Sequence, residues 1–174
     1  SYGNAGLLAQ WAVVPVTTPG LMKSAPKYLL DPNSPLFLRW SYLPKIAPWL
    51  FQFMKHANDA GARRIAEALV PIVGDSVQQH KSLVQGTDAE NRLKTSRFSF
   101  VYENRKAFEK DAYGWALRRE CGLVPELIEG PAVQEEEPIL GPSINLMAVL
   151  KGHGHILYLG QYVSELAQIF QGMG

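Results

Sequence analysis

Apolar positions recur at helical spacing through one long stretch of the chain. Ile65, Leu69, Ile72, Val73, Val77, His80 and Val84 fall on one face, the repeat expected of an amphipathic helix. Asn58 or Asp59 supplies a cap at its start. The pattern predicts one long helix to about Gln85. Pro71 should bend it, because its ring removes an amide donor and crowds the preceding turn, and Gly86 should stop it.

The period changes at Phe98. Phe98, Phe100 and Tyr102 alternate with Ser99, Val101 and Glu103, which predicts a strand with one aromatic face. Asn104 then opens a helix through Phe108, Ala112, Trp115 and Ala116 that Gly122 closes. A second strand is expected around Val124 to Ile128, a short acidic helix over Gly130 to Glu137, and a third strand from Asn145 to Leu150. Gly152-His153-Gly154-His155 reads as a turn after it, and Tyr162, Val163, Leu166, Ile169 and Phe170 mark a final amphipathic helix. The expected fold class is α+β, a helical first half followed by a small, mainly antiparallel sheet with packed helices. Three strands with open edges are marginal alone, so further strands from a longer chain, or self-association, are expected.

The segment before these elements is less regular. Leu7 to Gly20 is extended where Val13, Val14 and Val16 favour it and broken by Pro15, Pro19 and Gly20. Leu21 to Leu30 is a short helix candidate, and Asp31 to Pro35 a turn. Leu36 to Met54 is the most apolar stretch, but Arg39, Lys45, Pro44 and Pro48 argue against a membrane span, since a charge at mid-bilayer costs at least ~2.5 kcal/mol. A helix lying on a membrane surface and a helix buried against a larger protein both remain open.

Composition narrows the function classes. With 174 residues, 47% hydrophobic and 19% charged, the chain can bury one substantial core. A net charge of +1 offers no broad field to gather nucleic acid. Cys121 is the single cysteine, which excludes an internal disulfide and a multi-thiolate metal site; it reads as a small residue near a helix end. His80 reads as a hydrogen-bonded core histidine, and Glu135, Glu136 and Glu137 as a solvated helix end. His153 and His155 can share one side of an extended chain, yet two ligands are too few for a metal site. The chain carries no dinucleotide glycine fingerprint, P-loop, nucleophile elbow or zinc-protease motif. It opens at Ser1 with no charged leader, so an interior piece of a longer protein is expected.

Several segments, taken in order, resemble the FAD-dependent D-amino acid oxidase superfamily, especially its bacterial D-amino acid dehydrogenase branch. Ser1-Tyr2-Gly3-Asn4-Ala5-Gly6 is similar to the family's Ser-x-x-Asn-Ala-Gly turn. Leu29-Leu30-Asp31-Pro32, Pro35-Leu36 and Arg39-Trp40 resemble its helical excursion, and Leu127-Ile128-Glu129-Gly130 through Glu137-Pro138-Ile139-Leu140 its substrate-side domain. His155 and the helix with Tyr162-Val163 match the return toward the cofactor domain, although Tyr158-Leu159 stands where the family usually has Asp-Pro.

The resemblance implies a flavin-proximal connecting segment at 1–20 and a substrate-side cap domain at 21–174. It implies FAD in the complete protein, with Gly3, Asn4, Ala5 and Gly6 as flavin contacts and no catalytic residue in this segment. The parent would oxidise an amine or D-amino acid to an imine, then a 2-oxo acid and ammonia, and this piece alone would be inactive. Its implied partners are the missing FAD-binding portion and a small amine substrate, in the cytoplasm or peripheral on the inner face of a bacterial membrane. The alternative is a non-catalytic module that docks through Leu36 to Met54 on a membrane surface or a protein.

Overall fold

The computed structural model describes residues 5–21 and 39–172. The expected helix at Leu21 to Leu30, except Leu21 itself, and the turn at Asp31 to Pro35 lie outside them. The chain forms two units, Ser1–Ala12 with Leu69–Gly174, and Val13–Ala68. In the second, a 3₁₀ turn at Trp40–Tyr42 leads into α1 (Leu43–Lys55). The helix α2 (Asp59–Val73) follows and runs on into the first unit. Asn58 caps it, its side-chain oxygen accepting from the Gly61 amide at 2.8 Å, which satisfies a donor that the first helical turn leaves unpaired.

The expected long helix is two helices. It breaks at Gly74–Asp75, and α3 (Ser76–Val84) begins afresh. Pro71 stays inside α2: both it and Glu67 are exposed, so the carbonyl left without its donor is on the solvent side, where water can satisfy it. Gly74 and Asp75 abandon helical geometry at lower cost, Gly74 donating back to the Val70 carbonyl at 2.8 Å. The break also resets the helical phase. Val77 and Val84 are buried in α3, whereas Ile72 is exposed and α2 buries Gly61, Ala62 and Ala66 instead.

The remaining elements of the first unit are β1 (Leu7–Leu8), β2 (Leu93–Tyr102), α4 (Arg105–Lys110), α5 (Ala112–Glu120), β3 (Glu126–Glu129), α6 (Ala132–Glu136), β4 (Leu146–Ile156) and α7 (Leu159–Gly172). Asn104 caps α4 as expected, accepting from Ala107 at 3.0 Å. Helical geometry lapses at Asp111, so the single expected helix is the pair α4 and α5. The fold is α+β, with a four-stranded antiparallel sheet among the described residues.

All three other strands pair with β4. β2 lies along it from Leu93 opposite Ile156 to Tyr102 opposite Leu146. β3 and β1 share its other side, β3 at Leu146–Val149 and β1 at Gly154 and His155. The Gly152-His153-Gly154-His155 stretch is therefore inside the central strand and not a turn after it. A β-bulge explains the difference: Ser96 faces His153 and Phe98 faces Leu150, so Arg97 opposes both Lys151 and Gly152. Gly152 absorbs the extra residue at φ +85°, a left-handed conformation that glycine adopts without a Cβ penalty.

Alternation along β4 sorts the core. Leu146, Ala148 and Leu150 face Phe108, Trp115 and Leu123, with Trp11, Phe100 and Tyr102 against them. Met147 and Val149 face Val133, Ile128, Leu140 and Ile144. At the far end, Ile156 joins Val84, Ala89 and Tyr162. A strand buried on both faces reads as a continuous apolar run, which is why Leu146 to Leu150 shows no alternation. His80 is half-buried and hydrogen-bonded as expected, its Nδ1 2.7 Å from the Tyr162 hydroxyl.

Ion pairs tie covering elements to the sheet region. Arg92 grips Glu165 of α7 through two hydrogen bonds of 2.5 and 2.6 Å, which hold the Glu165 carboxyl below its ordinary range. Arg97, at the bulge, pairs with Glu136 and Glu137, so part of the acidic run is an ion-pair partner and not only a solvated helix end.

Candidate functional site

Gly6 is held by the far end of β4. The Gly6 carbonyl accepts from the Ile156 amide at 2.8 Å, and Leu7 and Leu8 then pair with His155 and Gly154. Gly6 has φ +70°, and a Cβ there would stand 2.6 Å from the Ile156 carbonyl oxygen. Its smallness is thus required by the backbone of β4. Ala5 is exposed, and Gly3 and Asn4 lie outside the described residues. Two residues past Gly6's partner, Tyr158 adopts φ +52°, and its carbonyl accepts the Gln161 and Tyr162 amides as α7 begins.

The start of the described chain at Gly6 to Leu8 is therefore a neighbour of the Gly-His-Gly-His stretch and of the corner at Tyr158, which lie at the other end of the sequence. Gln10 adds a further anchor, donating to the Gly74 carbonyl. Nothing local in the sequence marks Gln10, because its partner is remote along the chain.

His153 is buried, and its Nδ1 lacks a hydrogen-bond partner. Its cross-strand neighbour Ser96 also has a buried, unpartnered hydroxyl, and Phe98 lies alongside with ring centroids 5.8 Å apart. Burial holds the imidazole below its ordinary 6.5, disfavouring the charged form. Among the described residues no three of His, Cys, Asp and Glu converge to hold a metal.

The sign of the resulting pH dependence follows from linkage. The unfolded chain takes up this proton before the folded one, so stability is full above pH 6.5 and falls as the pH drops below it. His153→Leu is expected to flatten urea stability between pH 6.5 and 5 relative to the parent chain. An undiminished acid-side loss in the variant would assign it to other groups.

Further along the same face, the Trp115 indole donates to the Tyr102 hydroxyl at 2.9 Å, and that hydroxyl donates to Asp111 at 2.9 Å. The Arg118 guanidinium lies over Phe100 and Trp115, 4.5 and 4.7 Å from their centroids. Desolvation lowers its pKa, opposed by Asp111. Nothing local in the sequence marks Arg118, because its ring partner Phe100 lies on a different element. The aromatic alternation of β2 was visible, but not which cation it would receive.

Comparison with known proteins shows similarity to proteins named D-amino-acid oxidase and D-amino acid dehydrogenase. The chain is 33% identical over 168 residues to a D-amino-acid oxidase of Bradyrhizobium diazoefficiens, covering 96% of this chain and 40% of that protein. It is 23% identical over 177 residues to a D-amino acid dehydrogenase of Helicobacter pylori, covering 100% and 41%. To a D-amino acid dehydrogenase of Phenylobacterium zucineum it is 25% identical over 152 residues, covering 81% and 33%. No family model matches, and no solved structure matches. The chain belongs to the D-amino acid oxidase/dehydrogenase family. It spans about 40% of the length of the first of these relatives.

Proposed function

We propose that this chain is the substrate-side portion of an FAD-dependent oxidoreductase that oxidises an amine or D-amino acid to an imine, which water hydrolyses to a 2-oxo acid and ammonia. The observation that carries this reading is the near-complete coverage of the chain by relatives of that name. In the proposed division, residues 1–20 run beside the flavin and 21–174 cap the substrate.

Of the proposed flavin contacts, Gly6 lies against the backbone of β4, its carbonyl accepting from the Ile156 amide. Ala5, small and exposed, fits the close approach of a planar ring edge, and Gly3 and Asn4 complete the proposed contact set. A bound flavin would supply hydride removal from the carbon bearing the amine. The chain's own contribution is to hold Gly6, and Ala5 beside it, at a set place relative to β4. The proposed partners are the remaining portion of the same protein and a small amine. Free along one side among the described residues, β2 offers ten residues of edge, which suits further strands from that portion.

The test compares two proteins. The 174-residue chain is expected to purify colourless and to show no dye-linked oxidation of D-amino acids. The product of the intact gene is expected to hold FAD and to reduce the dye with D- but not L-amino acids. Stoichiometric FAD in the short chain would overturn its proposed inactivity, and a flavin-free, inactive long protein would overturn the assignment.

A further inference from the structure

In the first unit, α3, the 3₁₀ turn at Asp88–Arg92 and the start of β2 enclose a groove of about 450 Å³. That is the size of a small-molecule site. Its apolar lining is Val84, fully buried, and Leu93, half-buried. The rest is polar. Gln78 and Gln85 reach it from α3 and Asn91 from the 3₁₀ turn. Among the described residues these three carboxamides make no hydrogen bond, so both their donors and their acceptors line one hollow with nothing engaged.

Charge selects the ligand. Lys81 on α3 and Lys94 on β2 line the groove, and neither has a carboxylate partner among the described residues. Glu90 lines it as well. Its Oε2 accepts from the Gly86 amide at 2.8 Å, which fixes the carboxylate in place without neutralising it. Arg92, the cation of the same 3₁₀ turn, is already paired with Glu165. The groove therefore presents two positive charges and one negative. A plain dicarboxylate would answer both lysines but be repelled by Glu90, and a cation would meet the reverse. Two carboxylates and one ammonium answer all three. We infer that this groove binds a small acidic amino acid, its carboxylates on Lys81 and Lys94, its ammonium on Glu90 and its carbon chain over Val84 and Leu93. The inference uses residues that the oxidoreductase reading does not, and stands or falls apart from it.

Amide chemical-shift titration of the isotope-labelled 174-residue chain with racemic aspartate, at low ionic strength, tests the inference. Exposed ion pairs are individually weak, so saturation is expected with a dissociation constant on the order of 1 mM. The amides that move should be those of Gln78 to Gln85 and Asn91 to Lys94. Succinate, which lacks the ammonium, and alanine, which lacks the second carboxylate, should each bind at least about fivefold more weakly. Lys81→Glu and Lys94→Glu should each weaken aspartate about tenfold or more, because each turns an attraction into a repulsion. Glu90→Gln keeps an oxygen for the Gly86 amide and should bring succinate level with aspartate. Lys106→Glu, an exposed lysine of α4, should bind as the parent does, and circular dichroism melts check that every variant folds. Absence of a saturable shift with aspartate, equal affinity for succinate or alanine in the parent chain, an unchanged constant in either groove-lysine variant, or an equal loss in Lys106→Glu overturns it.

Discussion

Trp115→Ala is expected to lower unfolding stability by about 3–5 kcal/mol, the largest effect of any single substitution considered. Trp115 is fully buried, with Phe100 5.2 Å away edge-on and Phe108 at 5.5 Å. Truncation leaves a cavity the size of an indole against β4. It also removes the donor to Tyr102, the hydroxyl that bridges to Asp111, and strips Arg118 of one of its two rings. Urea unfolding followed by far-ultraviolet circular dichroism measures the change, and Trp115→Phe, which refills much of the volume, should recover most of it. A midpoint shift equivalent to less than about 1 kcal/mol for the alanine variant would mean that this cluster is not where the sheet is held.

The second large effect is expected at Gly6. Gly6→Ala combines a left-handed backbone with a Cβ 2.6 Å from the Ile156 carbonyl oxygen, and a loss of about 2–3 kcal/mol is expected from the two together. Gly130→Ala is the control. Gly130 also has a positive φ, +65°, but a Cβ there meets nothing within 4 Å, so only the conformational penalty of about 1 kcal/mol applies. Hydrogen exchange locates the damage: the Ile156 amide, which donates to Gly6, should lose protection while Leu146 to Leu150 keep theirs. Equal costs at the two glycines would remove the close approach from the explanation. Detachment of Gly6 from β4 would also displace Ala5, so under the proposed contact set the same variant in the complete protein should weaken FAD retention.

Much of the fold was legible because local pattern encodes which side of an element is buried. The aromatic alternation at Phe98, Phe100 and Tyr102 identified β2, although the strand extends five residues further toward its start, to Leu93. There Leu93, Lys94 and Thr95 carry no aromatic signal, and pairing with β4 alone defines them. Asn104, and a cap at Asn58 or Asp59 that the structure places on Asn58, were readable because capping is decided within one turn of chain. The break at Gly74–Asp75 was hidden by an apolar repeat that continued across it, and Pro71 was the more conspicuous breaker. Of the candidate site, Gly6 was reached only through the family resemblance, and its neighbour was not legible at all: Ile156 lies at the other end of the chain.

The sequence by itself determined the α+β class, the caps, the aromatic face of β2, the apolar run of β4 and the family resemblance, all properties of residue type at short spacing. Tertiary structure decided that β4 is central, that Gly152-His153-Gly154-His155 continues a strand through a bulge, and that Gly6 is pinned beneath Ile156. The reason is physical. Periodicity records how a segment meets a surface, whereas strand partners and register follow from which remote segments bury one another, a choice made only when the whole sheet assembles.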